Sequence, residues 1–200
     1  MQHSSVQRAF SRGRAIQVFA IAATLPLIQS CARWKDVTPA GGGFAVKMPS
    51  DVSCNFFRGP EKFGGLPGSS CDGDDDRFRA RSFGIYRASG YALPPNQDLA
   101  AVKRERDEEL GLAAREPGVV LVAGDQRTLG GVTWSEVTAE GGANDGRFRT
   151  VLLFTALPQG VFSLSVTGPA DAWPTQEAKR FFDSFRFRGR PGEFHDAPRQ

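Results

Sequence analysis

The chain has 200 residues and a formal net charge of +3, from 25 lysines and arginines against 22 aspartates and glutamates. Three arginines and no acidic residue lie in residues 1–30, so the other 170 residues carry no net charge. A neutral chain lacks the basic surface that binds nucleic acid by counterion release, and we expect no nucleic-acid partner. A length of 170 residues is typical of one domain.

Residues 1–30 have the pattern of a secretory signal. Arg8, Arg12 and Arg14 form a positive start, and a mostly apolar run follows at residues 15–28. About 14 apolar residues are too few to span a bilayer, which requires roughly 20. A short apolar core after a basic start is typical of exported proteins, so we predict export and removal of this segment.

The segment ends in a motif that resembles the lipobox of bacterial lipoproteins, Leu27-Ile28-Gln29-Ser30-Cys31. The resemblance implies cleavage before Cys31, transfer of a diacylglycerol to its thiol, and acylation of the new amino group, for example with palmitate. Two or more acyl chains give a stable membrane anchor. Ala32, in place of an aspartate, implies by the same resemblance that the outer membrane is the destination. The alternatives are an uncleaved signal anchor and an ordinary secretory signal with a chance cysteine.

The cysteine count agrees with lipidation. If Cys31 is acylated, the even pair Cys54 and Cys71 remains. An oxidising compartment favours a disulfide between them. That bond would close a loop of about 17 residues and stabilise the fold by ~3 kcal/mol in the chain-entropy model. The alternative is two buried free thiols, and the spacing excludes a CxxC redox pair.

The first part of the predicted domain is rich in strands. After a predicted tether at residues 31–43, alternation of apolar and polar side chains predicts strands at residues 44–48 and 54–58. Residues 59–76 are rich in glycine, proline, serine and aspartate and are predicted as a loop. A long strand is predicted at residues 77–87.

A helix is predicted to follow, with Asn96 or Asp98 as its N-cap. Apolar side chains recur along one face from Leu99 to Ala113, and the other face is charged. The sequence Pro117-Gly118 is predicted to end this helix.

The second part of the domain combines strands and a closing helix. Over residues 119–167, apolar runs separated by short turns predict a meander of strands, and the alternation at residues 161–167 is typical of an antiparallel sheet with one buried face. A helix is predicted at residues 175–184, and a flexible tail at residues 189–200. The order predicts an α+β domain over residues 44–188, an antiparallel sheet of about six strands with helices packed on it.

Several short motifs in this order resemble a family of small exported bacterial proteins with a PsbP-like fold, including LpqN-type lipoproteins. The motifs lie at residues 43–49, 129–134, 152–154, 161–169 and 178–185. The resemblance implies a sheet sandwiched by helices and a non-enzymatic role in binding a protein or a small ligand. It implies no shared catalytic motif.

Catalytic side chains are scarce in the predicted domain. Of the two histidines, His3 belongs to the predicted signal and His195 to the predicted tail. A Ser-His-Asp or Cys-His site therefore lacks its base, and a histidine-rich zinc site lacks its ligands. A hydrolase with paired carboxylates, Asp125 or Glu136 with Glu140, is the remaining catalytic hypothesis, although no spacing singles them out. We expect no enzymatic activity and no cofactor.

Four aspartates cluster in the stretch Asp72-Gly73-Asp74-Asp75-Asp76. Carboxylate oxygens bind calcium, but the order here is not that of an EF-hand loop, and the final glutamate of such a loop is missing. We therefore favour a solvated acidic loop and predict no metal site.

Five arginines are candidates for a binding surface. Arg77, Arg79 and Arg81 alternate on one predicted strand, and Arg147 and Arg149 alternate on another. Facing each other across the sheet, they would bind an acidic partner or anionic headgroups. The favoured alternative is that each arginine pairs with a nearby carboxylate, as the zero net charge allows.

The three tryptophans receive structural interpretations. Trp134 is predicted in the core of the sheet, and Trp173 is predicted to pack on the closing helix. Trp34 lies close to Cys31 and is predicted to rest at the bilayer interface.

The sequence thus predicts a lipid-anchored protein of the bacterial cell envelope that faces the periplasm and binds a small ligand or an envelope protein. The second hypothesis is a structural subunit of a larger envelope complex. The third is the carboxylate-dependent hydrolase.

Overall fold

The computed structural model describes residues 34–49, 51–74, 84–113, 119–143 and 146–192. Cys31 and the segment before it lie outside the described residues, as do Arg77, Arg79 and Arg81. Within the described ranges, no helix is both long and apolar enough to cross a membrane.

Antiparallel strands dominate the described residues, and helices follow them at two points in the chain. In chain order the elements are β1 (Lys35–Val37), β2 (Phe44–Met48), β3 (Asp51–Arg58), a 3-10 turn (Glu61–Phe63), β4 (Pro67–Asp74), β5 (Ile85–Ala92), α1 (Leu99–Ala113), β6 (Val119–Leu129), β7 (Val132–Ala143), β8 (Gly146–Leu157), β9 (Gly160–Pro169), α2 (Thr175–Asp183) and β10 (Arg186–Phe187). The predicted α+β class is confirmed.

The described strands form two sheets. The large sheet has the order β3-β4-β5-β9-β8-β7-β6, and the small one has the order β1-β2-β10. The large sheet alone has seven strands, more than the six predicted. Its two halves join where β5 pairs with β9, for example at Ser89 and Ser163, which are 74 residues apart in the chain.

One face of the large sheet carries the main core, against which α2 and the small sheet pack. Its residues alternate along the strands and recur every three or four residues along α2, as an amphipathic helix requires. The fully buried large side chains of this core include Phe44, Met48, Tyr86, Trp134, Leu153, Phe162, Leu164, Phe181 and Phe185. The core position predicted for Trp134 is confirmed, and its indole Nε1 donates a hydrogen bond to the carbonyl oxygen of Leu129 at 3.3 Å.

Helix α1 covers one end of the opposite face. Of the two predicted N-caps the chain uses Asp98, whose Oδ1 accepts hydrogen bonds from the backbone nitrogens of Ala100 at 2.9 Å and Ala101 at 3.2 Å. The helix packs over a smaller core formed by Phe63, Leu93, Val102, Ala156 and Val161.

The prediction of a loop over residues 59–76 is wrong for its second half, where β4 forms. β4 lies between β3 and β5 and pairs with both. The small side chains of β4 allow its neighbours to approach closely. At Gly68, for example, a Cβ would lie 2.4 Å from the carbonyl oxygen of Gly90. Of the strand predicted at residues 77–87, residues 77–83 lie outside the described residues, and Ile85 to Arg87 are the first residues of β5.

Part of the predicted tether belongs to the folded domain. β1 lies in it and pairs with β2. Trp34 packs edge-on against Tyr86, with 5.4 Å between ring centroids, and the guanidinium of Arg180 lies 4.9 Å from the Trp34 ring centroid. The structure thus places Trp34 in the packing of the domain, in contrast to the predicted position at the bilayer interface.

Candidate functional site

A cleft of about 350 Å³ opens on the face of the large sheet that α1 partly covers. β5 and β9 form its floor, the end of β3 forms one side, and α1 contributes to the other. The residues that line it are Phe57, Arg58, Pro60, Ser89, Tyr91, Arg106, Val161 and Ser163. Concave sites with a few convergent polar groups are the usual places for small ligands.

The floor of the cleft presents hydroxyl groups. Ser89 and Ser163 lie opposite each other on β5 and β9, and their Oγ atoms are 2.7 Å apart. Each hydroxyl has one donor and two acceptor lone pairs, and their mutual hydrogen bond uses one donor and one lone pair. The pair therefore retains a donor and several lone pairs for a ligand.

The aromatic side of the cleft consists of Tyr91 and Phe57, whose rings are 6.1 Å apart in an edge-to-face arrangement. Burial raises the pKa of Tyr91 to about 12. The phenol is therefore neutral at physiological pH, and its hydroxyl can donate a hydrogen bond as well as accept one.

A charged network lies on the α1 side. Arg106 Nη1 donates to Glu109 Oε2 at 2.8 Å, and Lys62 contacts both Glu105 and Glu109. Burial alone would raise the pKa of Glu109, but hydrogen bonds from Arg106 and Lys62 outweigh it and hold this pKa below its usual value. In this network two cations balance two carboxylates.

Arg58 adds a positive charge from the β3 side, and its Nη1 lies 3.5 Å from the carbonyl oxygen of Gly65. The cleft thus combines hydroxyls, an aromatic side and an excess of positive charge, which suit a small polar ligand with a carboxylate. The described part of the chain contains no histidine that could activate Ser89 or Ser163 as a nucleophile.

The two predicted binding arginines that the structure describes share one carboxylate. Glu140 accepts hydrogen bonds from Arg147 at 2.9 Å and from Arg149 at 2.8 and 2.6 Å. The guanidinium of Arg149 also lies 5.9 Å from the ring centroid of Trp173. These contacts agree with the alternative in which the arginines pair with nearby acids.

The carboxylates of the hydrolase hypothesis are also engaged. Asp125 and Glu136 face each other on β6 and β7. Asp125 accepts from the backbone nitrogen of Gln126 at 2.7 Å, and Glu136 lies 3.4 Å from Arg127. With Glu140 bound to two arginines, these groups do not converge on the cleft, which other residues line.

The described part of the acidic stretch belongs to a strand, in contrast to the predicted loop. Asp72 and Asp74 lie in β4, and Asp72 accepts a hydrogen bond from Arg87 Nε at 2.5 Å. Asp75 and Asp76 lie outside the described residues. Among the residues that the structure describes, no three potential ligands of a metal ion cluster together.

Cys54 and Cys71 lie directly opposite each other on β3 and β4. Their sulfur atoms are 2.09 Å apart, which is bonding distance. Cys71 is fully buried in the main core, whereas Cys54 is exposed.

The residues of the cleft were not among the predicted site residues. The only local signal was the alternation on β9, which places Ser163 on the more polar face of the sheet. The partner strand of β9, and hence the position of Ser89 beside Ser163, has no signature in either segment.

Solved structures with a similar fold are known at low sequence identity. Cyanobacterial PsbP (CyanoP) from Synechocystis sp. PCC 6803 is 12% identical, with a TM-score of 0.52 over 78% of this chain and 93% of that chain. LpqN of Mycobacterium tuberculosis, described as involved in cell envelope biogenesis, is 15% identical, with a TM-score of 0.43 over 78% and 91%.

A protein from Bacteroides thetaiotaomicron is also 15% identical, with a TM-score of 0.46 over 77% of this chain. The present chain spans about half of it, 48%. No protein-family model matches the sequence, and no curated protein matches it at a significant level.

Proposed function

We propose that this domain, which has the PsbP-like fold, is a lipid-anchored, periplasm-facing module of the bacterial cell envelope that binds a small ligand without catalysis. Cys31 is its acylated residue, and the outer membrane is its destination. The observation that carries the ligand-binding part is the cleft beside α1. The lipobox-like sequence before Cys31 supports the anchor.

The chemistry of the cleft favours a ligand with hydroxyl groups and a carboxylate, such as a sugar acid. The Ser89–Ser163 pair and the Tyr91 hydroxyl offer donors and acceptors to sugar hydroxyls. Arg58 supplies a positive charge that the Lys62–Glu109 network does not use. The aromatic side can pack against the apolar face of a sugar ring.

Titration of the purified mature protein with glucuronate, and with glucose as the uncharged control, tests the cleft. We expect saturable NMR shift changes with glucuronate at a Kd on the order of 1 mM, as for a ligand of this size, and weaker binding of glucose. Ser163→Ala and Tyr91→Phe should each weaken glucuronate binding by about fivefold, the effect of one hydrogen bond.

Ser165→Ala is the matched control, because Ser165 lies two residues further along the same face of β9 and does not line the cleft. Equal affinity for glucuronate and glucose, or equal effects of Ser163→Ala and Ser165→Ala, would refute the proposed site.

The anchor is tested separately in cells. Wild-type protein should incorporate labelled palmitate, remain with the membrane fraction and begin at an acylated Cys31 by mass spectrometry. Cys31→Ser should lose the label and the membrane association. An unacylated mature chain that begins elsewhere would contradict the anchor and leave the cleft titration unaffected.

A further inference from the structure

We propose that the first residues of β6, Val119 to Val122, form a second binding site, at which an extended segment of another protein pairs with the free edge of the large sheet. The segment that fits this edge carries apolar side chains and a carboxylate at alternate positions, so that they share one face. The site lies on a different strand from the cleft and does not depend on the function proposed above.

β6 is an edge strand with an unusual surface. In the part of the chain that the structure describes, β7 is its one neighbour in the sheet. Val120, Leu121 and Val122 are exposed to 63%, 44% and 55%. Single exposed apolar residues are common, but three in succession on an edge are typical of an interaction site.

The usual protection of edge strands is missing from the first three residues of β6, Val119 to Leu121. Edge strands are commonly protected by lysine, proline or a bulge. β6 contains no lysine or proline, and its charged residues, Asp125 and Arg127, follow the irregularity in pairing between Leu121 and Ala123. The apolar residues before this irregularity, Val119 to Leu121, pair regularly with β7. On an edge strand with such pairing, alternate residues direct their backbone groups away from the sheet.

A groove of about 450 Å³ runs beside the apolar residues. Val120 and Val122 line it on β6, and Gly141 and Gly142 line it on β7. A Cβ built on Gly142 would meet no atom of the described residues within 4 Å, so this part of the groove is open to them. An added strand could therefore place side chains in the groove while its backbone pairs with β6.

The charges at the groove select the occupant. Glu140 and Arg147 line it, and Arg149 also binds Glu140. Among the groove residues that the structure describes, two arginines on one glutamate leave one positive charge, and the side chain of Arg147 is 74% exposed. This excess favours an incoming segment that carries a carboxylate over one that carries a lysine.

Three synthetic peptides test the site on the purified mature protein. The first has the sequence Val-Thr-Asp-Thr-Val-Thr, in which the two valines and the aspartate share one face of the strand, the second has lysine in place of aspartate, and the third is the first with alternate backbone nitrogens methylated. By fluorescence polarisation we expect binding of the first peptide, about fivefold weaker binding of the second for the loss of one charge pair, and none of the third.

Variants locate the binding on the protein. Val120→Lys should abolish binding of the first peptide. Phe56→Lys is the matched control, because Phe56 is an equally exposed apolar residue, at 65%, on the other edge strand β3. Arg147→Gln should remove the preference for the acidic peptide over the basic one.

The proposal is overturned if no peptide binds, if methylation has no effect, or if Phe56→Lys weakens binding as much as Val120→Lys does. It is also overturned if light scattering shows a dimer that Val120→Lys dissociates, because the occupant of the edge would then be a second copy of the chain.

Discussion

Loss of the bond between Cys54 and Cys71 should destabilise the domain by ~3 kcal/mol. The two residues are 17 positions apart, and closure of a loop of this length lowers the entropy of the unfolded chain by that amount in the chain-entropy model. Cys54→Ser is the informative change, because Cys54 is exposed and Cys71 remains in the core as a small buried side chain.

Urea unfolding followed by tryptophan fluorescence measures the effect. With a slope of about 2 kcal/mol per molar urea for a domain of this size, Cys54→Ser should lower the midpoint by about 1.5 M. Wild-type protein in excess reductant should match the variant. Ser53→Ala, a neighbouring exposed position on β3, should leave the midpoint nearly unchanged. Identical midpoints with and without reductant, or two titratable thiols in denatured unreduced protein, would show that the reasoning is wrong.

Three further changes probe α1, the cleft and the central sheet. Asp98→Ala should lower the free energy of unfolding by about 1 kcal/mol, because the amides of Ala100 and Ala101 lose their acceptor. Asp98→Asn should restore most of this stability, and equal losses in the two variants would exclude the cap. The pKa of Tyr91, about 12 when folded, exceeds the value of about 10 for an unfolded tyrosine. The contribution of this group to the free energy of unfolding is therefore complete below pH 10 and is lost as the pH rises towards 12. In Tyr91→Phe the urea midpoint should fall less over this pH range than in the wild type. An equal fall in both proteins would contradict the raised pKa. Gly90→Ala places a Cβ 2.5 Å from the carbonyl oxygen of Gly42 and should lower stability by about 1–3 kcal/mol; an unchanged melting temperature would contradict this close approach.

The elements that could be predicted are those whose pattern arises within the element itself. In α2, Ala178, Phe181 and Phe182 recur at helical spacing and all three are buried, so the periodicity of the residues was sufficient. In β9 the alternation of Phe162, Leu164 and Val166 with hydroxyl side chains predicted both the strand and its buried face.

The elements that could not be predicted depend on neighbours distant in the chain. β4, with the sequence Pro-Gly-Ser-Ser-Cys-Asp-Gly-Asp, has the composition of a loop. It is a strand because β3 and β5 pair with it on both sides. β1 is three residues long and depends on its pairing with β2. The cleft has the same origin, since its floor exists only where β5 meets β9.

The small sheet also determines when the domain can be completed. Phe44 of β2 pairs with Phe187 of β10, which follows it by about 140 residues. The backbone nitrogen of Lys47 donates to Ser184 Oγ at the end of α2, and the ring of Phe44 stacks on that of Phe185 at 5.8 Å. Contacts between such distant residues form slowly and late in folding. A chain synthesised amino terminus first must therefore keep the apolar side of β2 uncovered until β10 has been made, and during this interval it is exposed to proteases and chaperones.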